Sequence, residues 1–592
     1  MKQFWITVFG SVIGVIIGSV LTIVLGIFLI AGLIASAAQS SDPAPVIPSA
    51  NVVLALDLRE ARNDQPSRSP FAFADPLSTV DLVRALERAE GDSRVAGVFI
   101  RANEYGLPAA QAEEIHRAIA AFRESGKFVL VHAQGFEGTS ATNYFAVSGA
   151  DEIWLQDTAT FSASGLYGEV PFFGGALERF EGEAEFIRFE DYKNAPNSYT
   201  EDGFTPEHRE ATLSYFNGIY DTIIAATATD RGQTQAAMRA LIEDAPYSAE
   251  EAMEAGLVDR LGHLVEARQA ALDRAGARQL TDIADYAESA LMHQSGPVIA
   301  LIEGQGAIVT GLAPPALFGG EEMIGSDHMA ESILMAARDA NVRAIVLRID
   351  SPGGSSIASD QVWDAVRRAR DAGKPVIVSM GGAAASGGYY IAAPADYIVA
   401  NATTLTGSIG VYGGKVNLHD TFGLIGINIE PVSVGGEFAS AYSGQANWTD
   451  EQRAELESLL GDIYADFTER VAEGREIDID RVLEIARGRV WTGAQAVELG
   501  LVDEIGGLRE AIAAARALAD IEAGTRINLR RFPARPSPFE AFQQMFGATA
   551  ESAETLARIN ALMELPEVRA AIEARNAASR GNELRAAPAS PQ

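Results

Sequence analysis

Lys374-Pro-Val-Ile-Val-Ser-Met-Gly-Gly-Ala-Ala-Ala-Ser386-Gly-Gly-Tyr-Tyr390 is the stretch on which the reading of this 592-residue chain turns. The apolar run Val376 to Val378 reads as a buried strand over residues 374–380. Small residues follow, where backbone can come close to backbone or ligand. A helix is expected to start at Ser386 and run through Tyr390 to Ala393. A serine there sits beside free N–H groups at the positive end of the helix dipole. That setting suits a nucleophile whose product is an oxyanion. The plainer reading is an N-cap, and this stretch alone favours it.

Working outward, the same pattern occurs twice, about 245 positions apart. Val95 to Arg101, Ser125-Gly-Lys-Phe-Val-Leu-Val131 and Tyr144 to Asp151 answer Arg343 to Arg348, Ala372-Gly-Lys-Pro-Val-Ile-Val378 and Tyr389 to Asp396. Thr205 to Ala211 answers Thr449 to Glu455, and Ala255 to Gly262 answers Leu499 to Gly506. Each copy alternates β-rich runs with amphipathic stretches. In the second, strands are expected at 345–349 and 374–380, with a helix over 359–372 between them. Such alternation predicts parallel strands in an α/β layered fold. The copies are placed at residues 51–290 and 297–525. Residues 526–592 are read as a peripheral tail, partly helical and disordered at its end.

The chain is too long for one domain, and 47% hydrophobic content lets it bury large cores. A formal net charge of −34 argues against nucleic acid and anionic lipid as partners. The absence of cysteine excludes disulfides and thiolate metal sites. No motif calls for a metal or cofactor. Phe4 to Ala38 carry no charge. At about 1.5 Å per helical residue they exceed a bilayer core of about 30 Å. Residues 1–39 are therefore expected to be an uncleaved transmembrane anchor with Lys2 on the cytoplasmic side. Residues 40–50 form a linker, and the bulk of the chain lies outside the cytoplasmic membrane.

The copies differ where chemistry is expected. Opposite Ser386 the first copy has Ala141, and opposite Gly387-Gly388 it has Thr142-Asn143. Asp350-Ser-Pro-Gly-Gly-Ser355 faces Ala102-Asn-Glu-Tyr-Gly106, which lacks paired glycines. Downstream the first copy has Lys193 where the second has Glu437. Of 46 basic residues only five are lysine: Lys2, Lys127, Lys193, Lys374 and Lys415. Lysine can lose its proton and arginine cannot. Lys127 and Lys374 share one pre-strand position, which suggests a structural role. Lys193 and Lys415 remain as candidate bases, Lys415 being most simply a loop lysine. A serine nucleophile needs a base, and no histidine shares a local motif with Ser386. A Ser-Lys dyad needs a desolvated, neutral lysine, so Glu190 and Asp191 are expected to point away from Lys193. Ser351, Ser355, Ser356 and Ser379 are rival nucleophiles.

Asp350-Ser-Pro-Gly-Gly354, Ala384-Ala-Ser-Gly-Gly388, Leu405-Thr-Gly-Ser-Ile-Gly410 and Tyr192-Lys193 together resemble the signal peptide peptidase A (protease IV) family in its long, duplicated, membrane-anchored form. The resemblance covers residues 1 to about 525. It implies two tandem crotonase/ClpP-like domains behind the transmembrane helix. It implies Ser386 as nucleophile, Lys193 as general base and Ser408 as the residue orienting the lysine. Backbone N–H groups of Gly387 and of Gly353 or Gly354 would form the oxyanion hole. The implied enzyme is a serine endopeptidase of the bacterial inner membrane, with its catalytic bulk on the periplasmic side. It would degrade cleaved signal peptides and other short hydrophobic peptides. A homo-oligomer is implied, with a tetramer as the candidate number. The loop Asn194-Ala-Pro-Asn-Ser-Tyr199 departs from the family pattern, which bears on substrate preference. Two rival readings are a membrane peptidase that cuts one specific protein partner and a non-catalytic assembly scaffold.

Overall fold

Runs of β-branched and aliphatic residues pair in parallel to make two sheets, one per copy. The computed structural model describes residues 47–67, 75–291, 295–314 and 321–534. The expected anchor, most of the linker and the stretch from 535 onward lie outside the described residues. Among the described residues no helix is long and apolar enough to cross a membrane.

The first sheet has six strands, ordered Arg260–Leu261, Glu152–Leu155, Phe128–Ala133, Val95–Arg101, Val52–Asp57, Leu280–Asp282, all parallel. The second has eight, built around Val298–Gln305, Val342–Ser351 and Val376–Ala385. Central strands buried along nearly their whole length, such as Phe128–Ala133 and Val376–Ala385, match sheets covered on both faces, and each sheet carries its own core. The duplication reaches single side chains. Asp151 accepts the Val129 N–H and pairs with Arg123, as Asp396 accepts the Val376 N–H and pairs with Arg370. Tyr144 Oη donates to Leu257 O, and Tyr389 Oη to Leu501 O. Lys127 Nζ donates to the carbonyls of Ala89 and Asp92, and Lys374 Nζ to those of Asp339 and Val342. In both copies these carbonyls lie where a helix (Thr79–Gly91 or Ser326–Arg338) ends and the chain turns towards the next strand, so the shared lysine clamps a helix-to-strand turn.

Three stretches depart from expectation. The strand expected to stop at Met380 runs on to Ala385, because Ala383 to Ala385 pair with Leu405–Gly407. Asn528–Arg531, expected in the peripheral tail, is an edge strand of the second sheet, paired with Val298–Gln305. Lys415 is not in a loop. It lies on strand Tyr412–Asn417, which pairs antiparallel with Glu183–Arg188 of the first copy.

That two-strand ribbon links the copies. A further link is buried and ionic. Arg348, 1% exposed, pairs with Asp64 and with Glu114 of helix Ala109–Glu124. Glu113 accepts the N–H groups of Ala402 and Thr403 and the Thr403 hydroxyl. A helix of the first copy thus satisfies polar groups deep in the second.

Candidate active site

Ser386 sits where strand Val376–Ala385 turns sharply into helix Gly387–Ala392. Its φ of 54° and ψ of −119° are unusual for a residue with a side chain. The turn is held by Ser386 N–H donating to Gly407 O at 2.8 Å and by Ser386 O accepting from Tyr390 N–H. As a cap the residue is idle, since its hydroxyl makes no capping bond. Instead Oγ lies 3.0 Å from Lys193 Nζ.

Lys193 arrives from the first copy, beyond strand Glu183–Arg188, and is 3% exposed. Its Nζ donates to Ser408 O at 2.9 Å and to Ser408 Oγ at 3.0 Å. A neutral amine has two hydrogens and one lone pair. With both hydrogens on Ser408, the lone pair faces the Ser386 hydroxyl. Burial, with no compensating carboxylate, pushes the lysine down from its usual value to about 7. Glu190 and Asp191 do point elsewhere: both pair with Arg487. Lys415 is occupied by the carbonyls of Ala441 and Ala446, with Glu185 at 3.8 Å. Glu437, the aligned counterpart of Lys193, accepts from the Thr449 hydroxyl at 3.0 Å.

The glycine loops converge on Ser386. Gly353, at φ 108°, leaves no room for a side chain: a Cβ there would lie 2.8 Å from Gly387 N and from Ser386 Cβ. A Cβ on Gly387 would lie 2.5 Å from Ser359 Oγ and 3.2 Å from Gly354 N. So the backbone nitrogens of Gly354 and Gly387 both come close to the Ser386 turn. The N–H of Gly353 is spent on Ser351 Oγ at 3.1 Å. Of the two glycines left open by the sequence, Gly354 is therefore the better donor.

The first copy shows the same place closed. Gly106 (φ 126°), Leu107 and Thr142 stand where Gly353, Gly354 and Gly387 stand in the second. There the Leu107 N–H donates to the Thr142 hydroxyl at 3.0 Å. A side-chain oxygen there occupies the N–H whose counterpart in the second copy is that of Gly354.

The rival serines are engaged elsewhere. Ser351 Oγ accepts from Gly353, Ser355 caps helix Ser356–Asp371, and Ser379 Oγ accepts from Arg348. Ser356 opens that same helix. Among the described residues no cluster of histidine, aspartate and glutamate is arranged to hold a metal ion.

The model of peptidase family S49 matches the chain twice, over residues 121–278 and 368–522. The chain belongs to peptidase family S49. A Clp protease model also matches residues 321–406 of the second copy. Among S49 relatives, Protease 4 of Salmonella typhi is 31% identical over 506 residues, covering 80% of this chain and 79% of the relative. The chloroplastic serine protease SPPA of Arabidopsis thaliana is 30% identical over 495 residues, covering 82% and 72%. The putative signal peptide peptidase SppA of Enterococcus faecium is 33% identical over 174 residues, covering 29% and 50%. The duplicated S49 chain is a serine protease.

Sequence comparison of the copies did not single out the turn Arg487-Gly488-Arg489, which touches both Lys193 and Ser408. The available signal was that Gly488 stands opposite Asp244 of the first copy.

Proposed function

We propose that this S49 protease is a Ser-Lys dyad endopeptidase that degrades cleaved signal peptides and other short hydrophobic peptides at a bacterial inner membrane. The observation that carries the dyad is a desolvated Lys193 amine 3.0 Å from Ser386 Oγ, with its hydrogens directed at Ser408. Ser386 Oγ attacks the scissile carbonyl while its proton passes to Lys193 Nζ. The N–H groups of Gly354 and Gly387 hold the tetrahedral oxyanion, each such donor being worth about 3–4 kcal/mol. Lys193 then protonates the departing amine, leaving an acyl-serine. In the second half Lys193 takes a proton from water, hydroxide adds to the ester carbonyl, and Ser386 leaves with the proton.

The substrate class rests on two supports. One relative is named as a signal peptide peptidase. The uncharged stretch Phe4 to Ala38 suits an anchor that would hold the enzyme where such peptides are released. Residues 51–592 then face the periplasm, and the protein assembles with copies of itself.

The deciding experiment compares Ser386→Ala, Lys193→Ala and Lys193→Arg on a purified signal peptide. Ser386→Ala should be inactive. Lys193→Arg should be nearly as damaged as Lys193→Ala, because arginine keeps the charge but accepts no proton at neutral pH. Near-normal turnover by Lys193→Arg would reduce the lysine to a charge partner. Digestion of intact spheroplasts tests the topology: full protection of the folded bulk would reverse it.

A further inference from the structure

We infer that the turn Arg487-Gly488-Arg489 is the positioning element of the base, and that Gly488 in particular sets where Lys193 stands. The inference rests on the Ser-Lys reading above and adds a residue to it.

The turn is bonded to both halves of the base assembly. Arg487 O accepts from Tyr192 N–H at 3.2 Å, immediately before the lysine. Gly488 N–H donates to Ile409 O at 2.8 Å, and Arg489 O accepts from Ser408 N–H at 2.7 Å, on the loop that orients it. One three-residue segment of the second copy thus fixes the separation between Lys193 and its partner Ser408.

Gly488 is where the lysine segment presses in. It is buried at φ 73°. An added Cβ would lie 2.6 Å from Lys193 N and Cβ and 2.7 Å from its Cα. All three belong to the lysine's own backbone and first side-chain carbon, so no rotamer change relieves the contact. Gly410 forms the opposite wall: a Cβ there would lie 2.7 Å from Gly488 Cα and 3.4 Å from Lys193 Cδ. In the first copy, which receives no lysine, the position opposite Gly488 is Asp244, a residue with a side chain.

The charges around this seat are arranged in pairs. Arg487 takes Glu190 and Asp191, and also lies over the Tyr192 ring. Arg489 takes Glu210 from helix Pro206–Asp230 and stacks on Tyr192 and Trp491. Tyr464, from helix Asp450–Arg475, lies against Phe189. The carboxylates nearest Lys193 in sequence are thereby committed to guanidinium groups, and Nζ faces only Ser386 and Ser408. Moving the lysine outward by part of an ångström would wet it and raise its affinity for a proton.

The test uses the full-length enzyme with Gly488→Ala and Gly410→Ala, and Gly373→Ala as control. Gly373 has nearly the same backbone angle, φ 76°, but open space around its Cβ, so it carries the same strain without touching the base. Both site variants are expected to lose about 10–100-fold in kcat with KM within about twofold, as small misplacements of reacting groups do. Their acid limb of kcat against pH should move upward by at least about half a unit. Gly373→Ala should keep kcat and the profile. If Gly488→Ala does not fold, Gly410→Ala, which needs no left-handed backbone, decides alone. Folded variants with unchanged kcat and an unmoved acid limb would overturn the inference, as would equal losses in Gly373→Ala. Lys193→Arg in the same assay separates the failures: near-normal turnover there removes the dyad itself, whatever the glycines do.

Discussion

At the residue scale, Lys193 links chemistry to stability. In the proposed dyad its amine must be neutral to accept the Ser386 proton, and its proton affinity is lowered to about 7. Activity should therefore rise as pH passes through about 7, and kcat/KM profiles of the parent enzyme check this. The same shift costs stability. The unfolded lysine keeps its proton up to about 10.5, so between about 7 and 10.5 the unfolded chain binds more protons and stability rises with pH. Below about 7 the full penalty applies. Lys193→Met should be inactive yet more stable than the parent at pH 6, by about 2–5 kcal/mol, with the gap closing towards pH 10. Thermal unfolding at both pH values measures it. This residue was legible in the sequence, because a chain with 41 arginines and five lysines leaves few bases to choose from. The choice between Gly353 and Gly354 was not, since it depends on where the Ser351 hydroxyl points.

At the element scale, strand Val342–Ser351 carries both the buried cation Arg348 and, two residues on, Asp350. Asp350 accepts the Ala383 N–H at 2.9 Å, just below the nucleophile's turn. Burial and the facing Asp64 carboxylate push it up to about 6, against the pull of Arg348 and the Ala383 and Gly382 N–H groups. Between about pH 4 and 6 the native state holds a proton that the unfolded chain has lost. Stability therefore falls as pH rises through that window, and the loss is complete above it. Asp350→Asn keeps an acceptor for Ala383 and offers Asp64 a donor. It should unfold at a higher temperature than the parent at pH 8, by about 1–3 kcal/mol, with little difference at pH 4. Arg348→Ala should do the reverse and cost about 3–5 kcal/mol, because it strands two buried carboxylates. The strand's core was readable from its apolar run. The extension of its neighbour to Ala385 was not, because glycine and alanine carry little strand preference and the pairing partner, Leu405–Gly407, is supplied by tertiary structure.

At the scale of the whole molecule, the copies are joined head to tail by strand Glu183–Arg188 of the first on strand Tyr412–Asn417 of the second. By the internal repeat, residues 428–433 and 167–172 are the matching partners, and neither is paired within the chain. Val432 and Val434 are each 93% exposed and Tyr167 is 77% exposed. Exposed extended segments of this kind invite pairing with another chain, and a head-to-tail contact repeated between chains closes a ring where its rotation closes. Val432→Glu with Val434→Glu should shift the native mass towards the single chain. A parent enzyme already monomeric at micromolar concentration would end that idea. Neither copy alone, at about 51–290 or 297–525, should cleave a peptide, since one lacks the serine and the other the lysine; activity assays on the separate halves check this. The turn that seats Lys193 has a consequence for the order of events during synthesis. Arg487 meets Glu190 across 297 positions of chain. The ribosome delivers Lys193 well before Arg487 to Arg489, and domains fold as they emerge. Between residues 386 and 489 a nascent chain carries both serine and lysine without the seat of the lysine, so the maker of the protease is spared its activity until that turn is out.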